Sequence, residues 1–162
     1  MSILRGIRDI DWFLDRIRNI SNRNIRGITG GLTPSDLLSE TKVLTVNKPS
    51  TENIGFLPYK WVVYVIRNFS GSTTATAYYY LKVYFHDGSS MSIGDSSNPR
   101  SISIGGNPTY YADDVVNPQI DPWNTETYDL KLIDYFEIYL WLSNDIDSDT
   151  IQVGSHAYCW VI

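Results

Sequence analysis

His86 and His156 are the only imidazoles in this 162-residue chain, and they limit what nucleophilic catalysis it could support. A serine, threonine or cysteine nucleophile needs an oriented base beside it. His86 stands before Asp87 in the turn sequence HDGS, where a solvated ring is the ordinary outcome, and His156 precedes the closing apolar run. Neither is framed by a nucleophile elbow or a zinc pattern. The single cysteine, Cys159, lies in AYCWVI with no adjacent cation to stabilise a thiolate. The expectation is a buried, inert thiol.

Carboxylates offer the next chemistry. Asp113, Asp114, Asp121, Asp129, Asp134 and Glu137 could supply a pair for glycoside hydrolysis, which needs two such groups opposed across a cleft. The spacing alone opposes no two of them, and an acidic soluble surface supplies carboxylates anyway. Asp145, Asp147 and Asp149 fall at the first, third and fifth positions of a calcium loop. Thr150 replaces the glycine that an EF-hand needs, and His156 replaces its final glutamate, so only a looser loop site survives as a calcium candidate beside a plain solvated tip. GGNP and GDSSNP lack the lysine and following helix of a phosphate loop. No catalytic residue, cofactor or firm metal site is expected, and the chain reads as a non-enzyme.

Aromatic residues carry more weight. The chain has 12 Tyr and 5 Trp. In AYYYLKVYF and YFEIYLWL, period-two alternation puts apolar residues on one side and Tyr78, Tyr80, Tyr139 and Trp141 on the other. Such a face could stack on the sugars of a host glycan or be covered by a neighbouring subunit. The scarcity of Asn, Gln and Arg on the same strands favours the subunit.

The elements that would position these residues are strands. KVLTV, KWVVYVIRNF, TATAYYYLKVYF, SMSI, SISI, TYY, YDLKLI, YFEIYLWL, TIQV and AYCWVI are short, β-branched or aromatic, and separated by turn-forming sequences. Asp87-Gly88 is the strongest hairpin signal. So many strands without intervening helices predict a mainly β protein, an antiparallel β-sandwich of jelly-roll or immunoglobulin-like order. Irregular spacing argues against a closed barrel. TPSDLLSE predicts a short helix with Thr33 as cap and Pro34 in its first turn. Residues 96–125, rich in Gly, Pro, Asn and Asp, read as a long surface excursion.

The opening of the chain follows another rhythm. Ile3, Ile7, Ile10, Leu14 and Ile17 alternate steps of four and three, a heptad register continued by Ser21, Asn24 and Ile28. Phe13 and Ile20 broaden the apolar face. This predicts an amphipathic helix and Gly-rich joint over residues 1–30, ahead of a β domain over 31–162. The helix could pack on its own domain or lie on a membrane surface. Isoleucine at the d positions and the wide stripe favour self-association as a trimer or higher, or docking on another subunit.

Charge is segregated. Residues 1–30 hold six Arg and three Asp, net +3; residues 31–162 hold seven Lys or Arg and fifteen Asp or Glu, net −8. An acidic body argues against nucleic acid as its main ligand. No secretory signal or 18-residue apolar run is visible, so a cytoplasmic location, or an assembly built in the cytoplasm, is expected.

An N-terminal amphipathic segment, a Gly-rich joint and a β-sandwich, with Ile exceeding Leu, abundant Tyr, Ser and Asn, and one cysteine, resemble coat, turret or fibre proteins of viruses infecting thermophilic archaea. The resemblance spans the chain in style and rests on no motif. It implies a structural subunit of a virion, assembled in the host cytoplasm, that contacts itself and other subunits. The alternative is a carbohydrate- or receptor-binding head of an attachment fibre.

Overall fold

The computed structural model describes residues 20–115, 123–124, 129–146 and 150–162. The helix expected over Ile3–Ile17 lies outside them. Its expected continuation does not form: β1 (Ser21–Ile28) is a strand, paired along its whole length with β11 (Ile151–Val161). Two of the three heptad positions there are polar, and Asn, Arg and Gly are dense, so a helix would have no apolar seam to bury. As a strand the segment pairs one edge of its backbone with β11 and turns Ile25 into the core.

A four-residue 3-10 turn (Pro34–Leu37) follows where the short helix was expected, but the Thr33 side chain makes no capping bond. Then come β2 (Thr41–Asn47), β3 (Phe56–Arg67), β4 (Ala75–Phe85), β5 (Ser90–Ile93), β6 (Arg100–Ile104) and β7 (Tyr110–Asp114). β8 (Trp123–Asn124) and β9 (Asp129–Leu130) pair only with each other, and β10 (Ile133–Leu142) leads towards β11. The protein is mainly β, and nine strands form one antiparallel sheet.

Pairing divides that sheet into two groups. One has the order β1-β11-β3-β7. The other runs β2-β10-β4, with β5 and β6 sharing the far side of β4 end to end. A single strand-to-strand bridge among the described residues, Ile133 to Phe56, joins them. One apolar cluster takes residues from both groups, and Trp61 of β3 meets Phe136 of β10 edge-on at 4.7 Å.

Alternation makes this work. Along β4, Ala75, Ala77, Tyr79, Leu81, Val83 and Phe85 are buried while the intervening residues are half-buried. A one-residue slip would send Lys82 into the core and Leu81 outward, so register is strongly fixed. The hairpin at Asp87-Gly88 forms as expected: Gly88 has φ +87° and Asp87 Oδ1 accepts from the Ser89 amide at 2.9 Å. The stretch 96–125 is not one surface excursion. β6 and β7 lie within it, paired to β4 and β3, because Ile102 and Ile104 have core positions to fill.

Buried Arg67, 1 % exposed, closes one end of the first group. Its guanidinium donates to the carbonyls of Phe69 (3.1 Å), Thr73 (2.7 Å) and Gly105 (2.8 Å). It thereby ties the loop after β3 to the loop after β6.

Candidate functional site: an aromatic sheet face

β4 and β10 run side by side, and their outward residues meet as cross-strand pairs. Tyr84 faces Tyr135, Lys82 faces Glu137, Tyr80 faces Tyr139 and Tyr78 faces Trp141. All four aromatic residues singled out from the sequence therefore stand together, joined by Tyr84 and Tyr135. All six rings are half-buried.

The ring geometry is specific. Tyr80 and Tyr139 stack with centroids 4.9 Å apart and planes 4° from parallel. Tyr84 and Tyr135 stack at 4.4 Å and 14°, and Tyr78 and Trp141 at 5.8 Å and 30°. Neighbouring strands lie ~4.8 Å apart, so rings stacked across them stand upright from the sheet. Each stacked ring gives one of its two faces to its partner.

A charged centre sits between the rings. Glu137 is 7 % exposed and its carboxylate meets Lys42 Nζ at 3.1 Å, while the Tyr139 hydroxyl donates to it at 3.3 Å. Burial alone would raise the Glu137 pKa. Hydrogen bonds from Lys42, Tyr84 and Tyr139 and the Lys42 charge outweigh it, and the carboxyl stays below its ordinary range. The Tyr80 phenol is pushed up by burial and by Glu40 beside it, and Tyr139 is pushed up by burial and by Glu137. The phenols are therefore neutral donors at physiological pH. Lys82 Nζ lies 5.5 Å from the Tyr84 ring centroid. Thr45 and Asn47 of β2, and Ser90, Ser92 and Ser101 of β5 and β6, pair with these outward residues and border the strip.

The remaining candidates do not converge on this face. Asp113 Oδ2 accepts from Arg100 Nε at 3.0 Å and from the Tyr79 hydroxyl at 2.6 Å, on the inner side of β4. These groups adjoin an open polar cleft of about 430 Å³ bordered by Ile93, Gly94, Asn98 and Pro99. Asp134 pairs with Lys48 at 2.9 Å, and Asp114 is exposed. Asp121 and the side chain of Asp129 lie outside the description.

His86 is half-buried rather than solvated, and its Nδ1 accepts from the Leu132 amide at 3.2 Å. His156 lies inside β11, stacked on Tyr158 at 4.8 Å. Burial pushes the Cys159 thiol up to about 12, as expected for a core position. Asp145 is exposed, and Asp147 and Asp149 lie outside the described residues, among which no cluster of three metal-ligating side chains occurs. Of the expected docking stripe only Ile20 is described; it is half-buried and precedes β1. Ile3, Ile7, Ile10, Phe13, Leu14 and Ile17 are not described.

Alternation in the sequence puts Tyr84 and Tyr135 on the same face, although only Tyr78, Tyr80, Tyr139 and Trp141 were singled out as contact residues. Only pairing brings the rings together. Comparison with protein-family models, with curated proteins and with solved structures finds no match to this chain.

Proposed function

We propose that this protein is a non-enzymatic structural subunit of a larger assembly, and that the aromatic face of β4 and β10 is covered by a neighbouring subunit. The observation that carries this reading is the parallel cross-strand stacking. Sugar recognition by stacking needs an open ring face, and pairing takes one face each of Tyr80, Tyr139, Tyr84 and Tyr135, which leaves this half-buried strip less of it. Upright rings with neutral hydroxyl tips and satisfied charges suit a flat protein partner, since interfaces are rich in Tyr and Trp and poor in unpaired charge.

Size supports the same reading. Tyr78 to Tyr84 spans ~20 Å of strand and four adjacent strands span ~15 Å, giving roughly 300 Å². Stable interfaces bury about 800 Å² on each partner. The strip is therefore the apolar centre of a contact whose rim is the bordering Ser, Thr and Asn residues.

In this reading the two groups of strands are layers of an antiparallel β-sandwich, and the contact between Trp61 and Phe136 supports that arrangement. The resemblance in composition and architecture makes a virion the assembly of choice. The heptad-spaced stripe from Ile3 to Ile17 adds a second contact by sequence alone.

Sedimentation equilibrium of the full chain over a hundredfold range of concentration tests the proposal. The expected result is a trimer or larger species that dissociates in the double variant Tyr80→Ser/Tyr139→Ser while circular dichroism is unchanged. A wild-type chain that stays monomeric throughout would sink it.

A further inference from the structure

A second set of rings gathers on the outward side of β1, β11 and β3, away from the β4–β10 strip. Its origin is a bulge. Tyr158 pairs with Lys60 and Cys159 with Pro58, which leaves Tyr59 as an extra residue in β3. Bulges re-aim side chains, and here Tyr59 joins the side of the sheet that carries Tyr158 and Trp160. The Tyr59 ring lies 5.4 Å from Trp160, tilted 44°, and 6.5 Å from Tyr158, tilted 33°. Tyr59 is 55 % exposed and Trp160 43 %. These tilted rings keep more area in solvent than the half-buried stacks on β4 and β10.

Polar groups surround them. The Tyr59 hydroxyl donates to Asn22 Oδ1 at 2.8 Å. The Asn24 carboxamide lies between the His156 ring and the Arg26 guanidinium, 3.0 Å from Nη2 and 3.1 Å from Nε. Lys60 Nζ sits 5.6 Å from the Tyr158 centroid. Arg26 and Lys60 share this face with His156 and Tyr158, and the three strands β1, β3 and β11 contain no acidic residue. The whole chain has 18 Asp and Glu against 13 Lys and Arg. Burial and the charges of Arg26 and Lys60 hold the His156 pKa below its ordinary value, as a locally positive field would.

We propose that this face binds a short acidic saccharide, with a sugar ring stacked on Trp160 and Tyr59 and its carboxylate met by Lys60 and Arg26. Asn22 and Asn24 stand where they can hydrogen-bond its hydroxyls. Charge complementarity selects the acidic ligand over a neutral one. A single strand of nucleic acid fits less well, because it needs a cationic track along many phosphates. Past His156 this face continues as Gly154 beneath Tyr64, then Val62, Ile66 and the acidic Asp114, so no such track exists. The site is separate from the β4–β10 strip, and the two proposals stand or fall apart.

Isothermal titration of the full chain with trigalacturonate and with 3′-sialyllactose tests this, with galactotriose, lactose and a hexathymidylate as comparisons. At least one acidic sugar is expected to bind, with affinity falling as salt rises. The neutral sugars should bind at least about tenfold more weakly, and Trp160→Ala should weaken the acidic sugar about tenfold, the loss of a principal contact. Lys60→Glu should weaken it as well, while Trp141→Ala on the other face leaves it unchanged. Circular dichroism checks that each variant is folded. Absence of binding by both acidic sugars would overturn the proposal. So would equal binding of the neutral sugars, tighter binding of the hexathymidylate, or loss of binding in Trp141→Ala with retention in Trp160→Ala.

Discussion

Gly55 precedes the one bridge among the described residues that joins the two groups of strands, and replacing it by alanine is a sharp perturbation of the fold. A Cβ at this position would lie 2.5 Å from the Ile133 carbonyl oxygen, 2.7 Å from Leu132 Cβ and 3.1 Å from the Ile133 carbonyl carbon. Carbon-to-oxygen contacts normally begin at ~3.3 Å, so the β10 backbone would have to retreat by roughly 0.8 Å. Backbone cannot swing away as a side-chain tip can. The clash is one of contact and not of dihedral strain, since the glycines with positive φ are Gly88 and Gly94. Overpacking costs about 1–3 kcal/mol, and weakening the Phe56–Ile133 bridge adds about 0.5–1.5 kcal/mol. Alanine returns about 0.4–1 kcal/mol by restricting the unfolded chain. The net expectation is ~2–3 kcal/mol, or a fall in Tm of about 4–12 °C for a chain of this size. Urea and thermal unfolding followed by circular dichroism measure it. Gly30→Ala is the control, because nothing lies within 4 Å of its Cβ position, and it should fall within ~0.5 kcal/mol of wild type. If Gly55→Ala is as stable as Gly30→Ala, the close approach does not hold the two groups together and the reasoning fails.

Two further expectations follow from charge. Because the Glu137 carboxyl is held below its ordinary range in the folded protein, its stabilisation is present above the unfolded carboxylate pKa and is lost as pH falls through the folded one. The gap in Tm between wild type and Glu137→Gln should therefore be largest near neutrality and close on acidification; a gap independent of pH would refute the assignment. Arg67→Met keeps the apolar stem but removes the donor shared by three loop carbonyls, and should cost about 3 kcal/mol. Arg67→Lys should recover little of that loss, since a single ammonium lacks the guanidinium fork; full recovery in urea unfolding would show that charge alone suffices.

Much of the β architecture was legible in the sequence, for a physical reason. Strands such as β4 and β10 have one buried side, and burial imprints a period of two that needs no partner to be read. Residues of the aromatic strip were visible because they share that parity. β1 was misread because its single buried residue, Ile25, leaves almost no imprint, and Ser21, Asn24 and Ile28 fell in step with the heptads before them. TIQV and AYCWVI read as two strands because Gly154 interrupts the pattern. The structure makes them one, with Tyr64 lying over the space a side chain would fill. The ring group around Tyr59 was hidden altogether. It depends on a bulge, and a bulge breaks the parity by which faces are assigned.

The division of labour on the far side of β4 has a consequence for edge-to-edge pairing. β5 and β6 occupy that margin in lengths of four and five residues, and the chain between them departs through Gly94 at φ +78°. An incoming strand would find no long, straight row of free amides there to copy. At the other margins, β7 is five residues long and ends in two aspartates, β2 carries Lys42, and β1 carries Arg23 and Arg26. Short, interrupted or charged borders are poor templates for fibre growth. The described borders therefore work against one sheet extending into another in a chain this rich in β-branched and aromatic residues.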